Sequence, residues 1–250
     1  MKPIYKEDFA DLSPEKKLRF VYDLNKNAQA SFQGKPHETQ LLAQTLIFTR
    51  WWNSYQHMAP QEPTPEILGQ AIELLWDYLE GKCPREALCR FQKSFDDSCV
   101  WMLTGDDSGL NEDPASNVFY QAHFAQWDSH SYDVFFSALD SVLIEAVSKT
   151  KDGFWGWEAL EEVVYGDIGD TMMDFFDPIC PTRDGSYPTD SLEHRNLEAY
   201  SSPMFIRTIT LLQQDMRTAL DGTPIPILRE RYRGEYLFSP EESTRISARR

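Results

Sequence analysis

The densest set of groups capable of chemistry lies between residues 154 and 177. Seven carboxylates fall there: Glu158, Glu161, Glu162, Asp167, Asp170, Asp174 and Asp177. Glu158 and Glu162 are four apart, and so are Asp170 and Asp174. On a helix each pair shares one face, where like charges cost roughly a few tenths of a kcal/mol. Water relieves that repulsion by screening, and a bound cation relieves it by neutralisation. Paired carboxylates are what magnesium uses when it binds a phosphate-bearing substrate, yet the segment has no Lys or Arg to hold phosphates. The same stretch opens with Phe154-Trp155-Gly156-Trp157, too dense in rings for a single buried face. Ring anchors rimmed by carboxylates have the composition of a protein-binding patch. The expected contact residues are Trp155, Trp157, Glu158, Glu161, Glu162, Asp167, Asp170 and Asp174. The competing reading gives the rings to a neighbouring helix.

Other chemistry is poorly represented. Cys83 and Cys89 are separated by five residues and Cys99 lies ten further on, so no CxxC pair exists. Cys89 and Cys99 read as small apolar residues of a helix, and Cys180 has no neighbouring cation to activate its thiol. His123 and His130 are seven apart and share a helix face, but no HExxH accompanies them. A glycine-rich phosphate loop, a nucleophile elbow and a Ser/His/Asp signature are absent. The expectation is a non-catalytic protein with no metal and no cofactor.

Charge is distributed unevenly along the 250 residues. Residues 1–93 balance at 0, residues 94–200 carry 4 basic and 22 acidic side chains, and residues 201–250 reach +2. The formal net charge of -16 therefore comes from the middle of the chain. Such a field repels nucleic acid and attracts a basic protein partner. Hydrophobic residues at 41% and aromatics at 13% are ample for a packed core. Apolar runs are too short for a membrane span, and the amino terminus has no secretory pattern. With few cysteines, these features point to a cytoplasmic protein.

The positioning elements read as helices. Ser13-Pro14-Glu15 opens the first, which Gln33-Gly34-Lys35-Pro36 interrupts. A second is expected from about His37 to Met58. Thr64-Pro65-Glu66 repeats the start signal before the stripe Leu68, Ile72, Leu75 and Leu79, which Gly81 stops. Pro84 starts another, with Leu88, Phe91, Phe95 and Val100 facing inward. Further helices are expected over about 115–127, 132–148, 154–177 and 204–220, with Gly222 as the last stop. After Pro224 and Pro226 the chain has strand character through Ile227–Phe238, where Arg229, Arg231 and Arg233 alternate. Those arginines are expected to pair with the acidic segment, and the residues from Glu241 onward to be loose. The chain thus reads as all-α, with seven to nine helices in a domain over 1–222 and a partly extended tail over 223–250.

Two resemblances bear on function. Ala71-Ile72-Glu73-Leu74-Leu75-Trp76-Asp77-Tyr78-Leu79-Glu80-Gly81-Lys82, followed by Pro84 and a second amphipathic helix, resembles the helical immunity proteins of bacterial polymorphic-toxin systems. It covers about residues 40–104 and implies a protein that occludes a cationic toxin without catalysing anything. Glu158-Ala159-Leu160-Glu161 and Asp167-Ile168-Gly169-Asp170 resemble the E-x-x-E and E-x-x-D pairs of all-α nucleotide pyrophosphohydrolases. That likeness implies the alternative, a magnesium-dependent phosphohydrolase using Asp167, Asp170 and Asp174. A scaffold subunit without separable activity is the third reading.

Overall fold

Helix start and stop signals in the chain correspond closely to the ends of the elements. A computed structural model describes residues 3–58, 66–96, 129–148 and 203–247, together with Trp157 and Tyr200. Among these residues the fold is all-α, with no strand. Nine helices are described: α1 (Pro14–Tyr22), α2 (Leu24–Phe32), α3 (His37–Met58), α4 (Glu66–Leu79), α5 (Arg85–Asp96), α6 (Ser129–Ser148), α7 (Pro203–Leu220), α8 (Ile225–Tyr232) and α9 (Pro240–Ser247). Short 3-10 turns at Ile4–Lys6 and Phe9–Asp11 precede them.

Ser13 is the N-cap of α1, with Pro14 in its first turn. There its fixed φ suits the helix and its missing N–H is no loss. The single helix expected before Gln33 is instead two. Asp23 leaves helical geometry at φ -99° and ψ 13°, and α2 starts immediately after it. Asp disfavours a helix interior because its short carboxylate competes for nearby backbone donors.

The fold is organised around α3. Every residue from Gln40 to Trp52 is buried, so this helix is enclosed on all sides. A helix surrounded in that way must satisfy its polar side chains internally. Thr45 Oγ1 donates to the Leu41 carbonyl at 2.8 Å and Thr49 Oγ1 to the Thr45 carbonyl at 2.7 Å. The indole N–H of Trp76 then donates to Thr49 Oγ1 at 3.0 Å, joining α4 to α3. Gly69 allows the close approach of these two helices, since a Cβ there would stand 3.3 Å from Cζ2 of Trp52. Helices α4, α6, α7, α8 and α9 all pack against α3, while α5 packs on α4 and α6.

The tail departs most from its expected form. Ile227–Phe238 is not a strand: residues 225–232 form α8, and a turn then leads to α9. The β-favouring Ile, Leu and Tyr side chains are overridden by tertiary packing, because helical spacing puts both Leu228 and Tyr232 into the core. Pro226 sits in the first turn of α8, where proline is tolerated. Nor are residues 241–247 loose, since they belong to α9 and Ser243 is buried. Leu237 and Phe238 join the same hydrophobic cluster as α3 and α7. The tail therefore shares one core with the helices before residue 222.

Gly81 ends α4 at φ +73°, a conformation that costs an L-residue about 1 kcal/mol. A Cβ there meets nothing within 4 Å, so the backbone alone sets the penalty. Gly81→Ala is expected to lower the thermal midpoint by about 2–4 °C, measurable by circular dichroism. An unchanged midpoint would remove the conformational argument.

Candidate functional site

One face of α3 carries Arg50, Asn53, Ser54 and His57, spaced to line up along the helix. Each of them meets the C-terminal arm. Arg50, only 2% exposed, grips Asp215 of α7 with two bonds, Nε to Oδ2 at 3.1 Å and Nη2 to Oδ1 at 2.8 Å. Its Nη1 donates to Glu235 at 2.7 Å, in the turn after α8. The Tyr232 hydroxyl donates to Asp215 Oδ1 at 2.5 Å, and Arg50 lies over the Tyr232 ring. Asn53 donates to the main-chain carbonyls of Tyr232 and Glu235 at 2.7 and 2.9 Å. Ser54 Oγ accepts from the backbone N–H groups of Leu237 and Phe238 at 2.8 and 2.9 Å. The His57 ring packs against Tyr236.

The electrostatics follow from burial. Removal from water alone would lower the Arg50 pKa, but Asp215 and Glu235 outweigh it and fix the guanidinium as a cation. Burial pushes the Asp215 carboxyl above its ordinary value, against the opposing pull of Arg50 and Tyr232. The Tyr232 phenol is raised too, first by burial and then by the adjacent carboxylate. The Arg50 charge is met within the cluster, so it holds three elements together.

A second cluster joins α8 to α4. Arg229 bonds to Glu73, to Asp77 at 2.7 Å and to Glu80 at 2.8 Å. Burial opposes the Arg229 charge, but the three carboxylates raise its pKa. Lys82, 2.5 Å away, and then Arg229 hold Glu80 below its ordinary value. Arg233 pairs with Glu230 at 2.8 Å, and Arg207 with Glu242 at 2.8 Å. The partners expected for the tail arginines, in the acidic middle segment, lie mostly outside the described residues. Arg229 and Arg233 are engaged by carboxylates of α4 and α8, because a helical α8 turns Arg229 toward α4.

The third set of contacts fixes α6. His37 Nε2 faces the Glu145 carbonyl oxygen at 3.1 Å and the Glu145 carboxylate at 3.4 Å. Arg85 bonds to the Val147 carbonyl, and Gln92 donates to Asp140 at 3.2 Å. Helices α5 and α6 therefore run antiparallel, and the carboxyl end of α6 is held where the chain leaves toward residue 149.

Of the expected contact residues, Trp157 alone is among those described. It is 0% exposed and packs on Phe32 of α2 with ring centroids 5.1 Å apart. Trp157 is thus a core residue in this structure and presents no ring to a partner. Trp155, Glu158, Glu161, Glu162, Asp167, Asp170 and Asp174 lie outside the described residues. So do Cys99, Cys180 and His123. Among the described residues, no three His, Cys, Asp or Glu side chains gather as metal ligands. Sequence reading missed the Arg50 clamp, although Arg50 amid the apolar residues of α3 was its visible signal. No family model matches the chain, and neither does any curated protein or solved structure.

Arg50→Met is expected to leave Asp215 buried without its cation and to destabilise the fold by about 3–5 kcal/mol. Urea unfolding followed by tryptophan fluorescence measures this, and a loss below about 1 kcal/mol would deny the clamp its importance.

Proposed function

We propose that this chain is a non-catalytic protein-binding module that receives a basic protein partner on its acidic middle segment. Residues 94–200 supply a charge of -18, against 0 and +2 in the flanking parts. The observation that carries the reading is this concentration of charge, 22 acidic against 4 basic side chains in residues 94–200. Among the described residues, Arg207 of α7 binds Glu242, Arg229 binds the carboxylates of α4 and Arg233 binds Glu230. A local excess of negative charge attracts cationic surfaces and accelerates encounter.

The finer reading is occlusion of a cationic toxin, as the resemblance over residues 40–104 implies. The helix, glycine turn and second helix of that pattern correspond to α4, Gly81 and α5. In this mechanism the carboxylates of Glu158, Glu161, Glu162, Asp167, Asp170 and Asp174 steer the partner in, and Trp155 is the aromatic anchor. Trp157 is assigned to the core.

The test measures anisotropy of a labelled arginine-rich peptide titrated with the full chain at 50 and 300 mM salt, both concentrations on the order of the Debye-screening range. Binding should weaken by about tenfold or more at the higher salt and vanish when the six carboxylates are replaced by amides. Equal affinity at both salts would overturn the electrostatic reading.

A further inference from the structure

A cleft of about 650 Å³ opens between α2 and the start of α3. One face of α2 supplies Lys26, Gln29 and Ala30, the last two being three and four positions along from the first, and Gln33 follows as the C-cap of that helix. The connecting turn supplies Lys35, and the first turn of α3 supplies His37 and Gln40. Its volume falls within the range of small-molecule sites. Ala30 keeps the α2 wall low, while Gln40, 1% exposed, lies at its inner side. His37 is braced from behind by Glu145 of α6, so the inner wall is fixed before any ligand arrives.

The chemistry of the wall is one-sided. Among the described lining residues two are lysines, three are glutamines whose amides can donate, and none is Asp or Glu. From these residues we infer that the cleft binds a small phosphate-bearing molecule. Lysine binds phosphate as a mobile point charge, whereas flat carboxylates are best matched by the fork of an arginine, which the described lining lacks. The chain as a whole carries -16, so an anion is repelled at long range and held only where Lys26 and Lys35 dominate locally.

Inorganic pyrophosphate serves as the probe, in calorimetric titrations of the full chain. Wild-type protein should bind it saturably. The K26M/K35M variant should bind about tenfold more weakly or worse, a change of about 1.4 kcal/mol. Both lysines are exposed, so the fold survives their loss. Ala30→Phe, which fills the cleft without altering charge, should weaken binding similarly. Lys93→Met, on the exposed face of α5, should leave it unchanged. Absence of pyrophosphate binding, an equal loss in Lys93→Met, or full affinity in Ala30→Phe would overturn the site. Citrate bound as tightly as pyrophosphate would overturn its assignment to phosphate.

Discussion

A guanidinium at the centre of the helical body sets the terms for what surrounds it. Arg50 cannot be left bare at 2% exposure, since an uncompensated buried charge costs several kcal/mol. Its needs are met by Asp215, Glu235 and the main chain of the tail, which lie 165 and more residues away in sequence. The tail must therefore fold back over α3 before the core is complete. Asn53 and Ser54 complete this attachment by bonding to main-chain groups between Tyr232 and Phe238. Such an arrangement favours one docking of α8 and α9 over competing ones, because any shift strands a buried charge.

The same logic explains how charge is divided across the molecule. The helical body settles its cations locally: Arg229 against α4, Arg207 against α9, Lys82 against Glu80. Several of these pairs are exposed and contribute little to stability individually. Their consequence lies elsewhere, in that these side chains are already occupied. The carboxylates of residues 94–200 outnumber the four cations there by 18. Meanwhile the cleft at Lys26 and Lys35 gives the body a small cationic spot on the side of α2.

Local signals made most of the helices legible. Ser13-Pro14, Pro36, Pro65 and Pro84 stand before helices, and Gly81 and Gly222 take positive φ where helices end. Both ends of α3 were readable from its flanking residues. Two features were not legible for a physical reason. The Asp23 break depends on backbone geometry rather than on a Gly or Pro, and the helical form of α8 depends on a core pocket for Leu228 and Tyr232 that local propensity cannot register. Trp157 illustrates the same limit, because a ring in a dense aromatic run gives no sign of which neighbour will bury it. Long-range partners such as Asp215 for Arg50 carry no spacing signature at all.

The central claim is that the acidic middle segment is not neutralised by the chain that carries it. The most direct measurement is the thermal midpoint of the full chain when Glu158, Glu161, Glu162, Asp167, Asp170 and Asp174 are replaced together by amides. If those carboxylates repel one another and lack internal cations, the midpoint stays level or rises as self-repulsion is relieved. A fall of several degrees, equivalent to about 1–2 kcal/mol or more for a chain of this size, would mean that they are paired within the fold, contradicting the account.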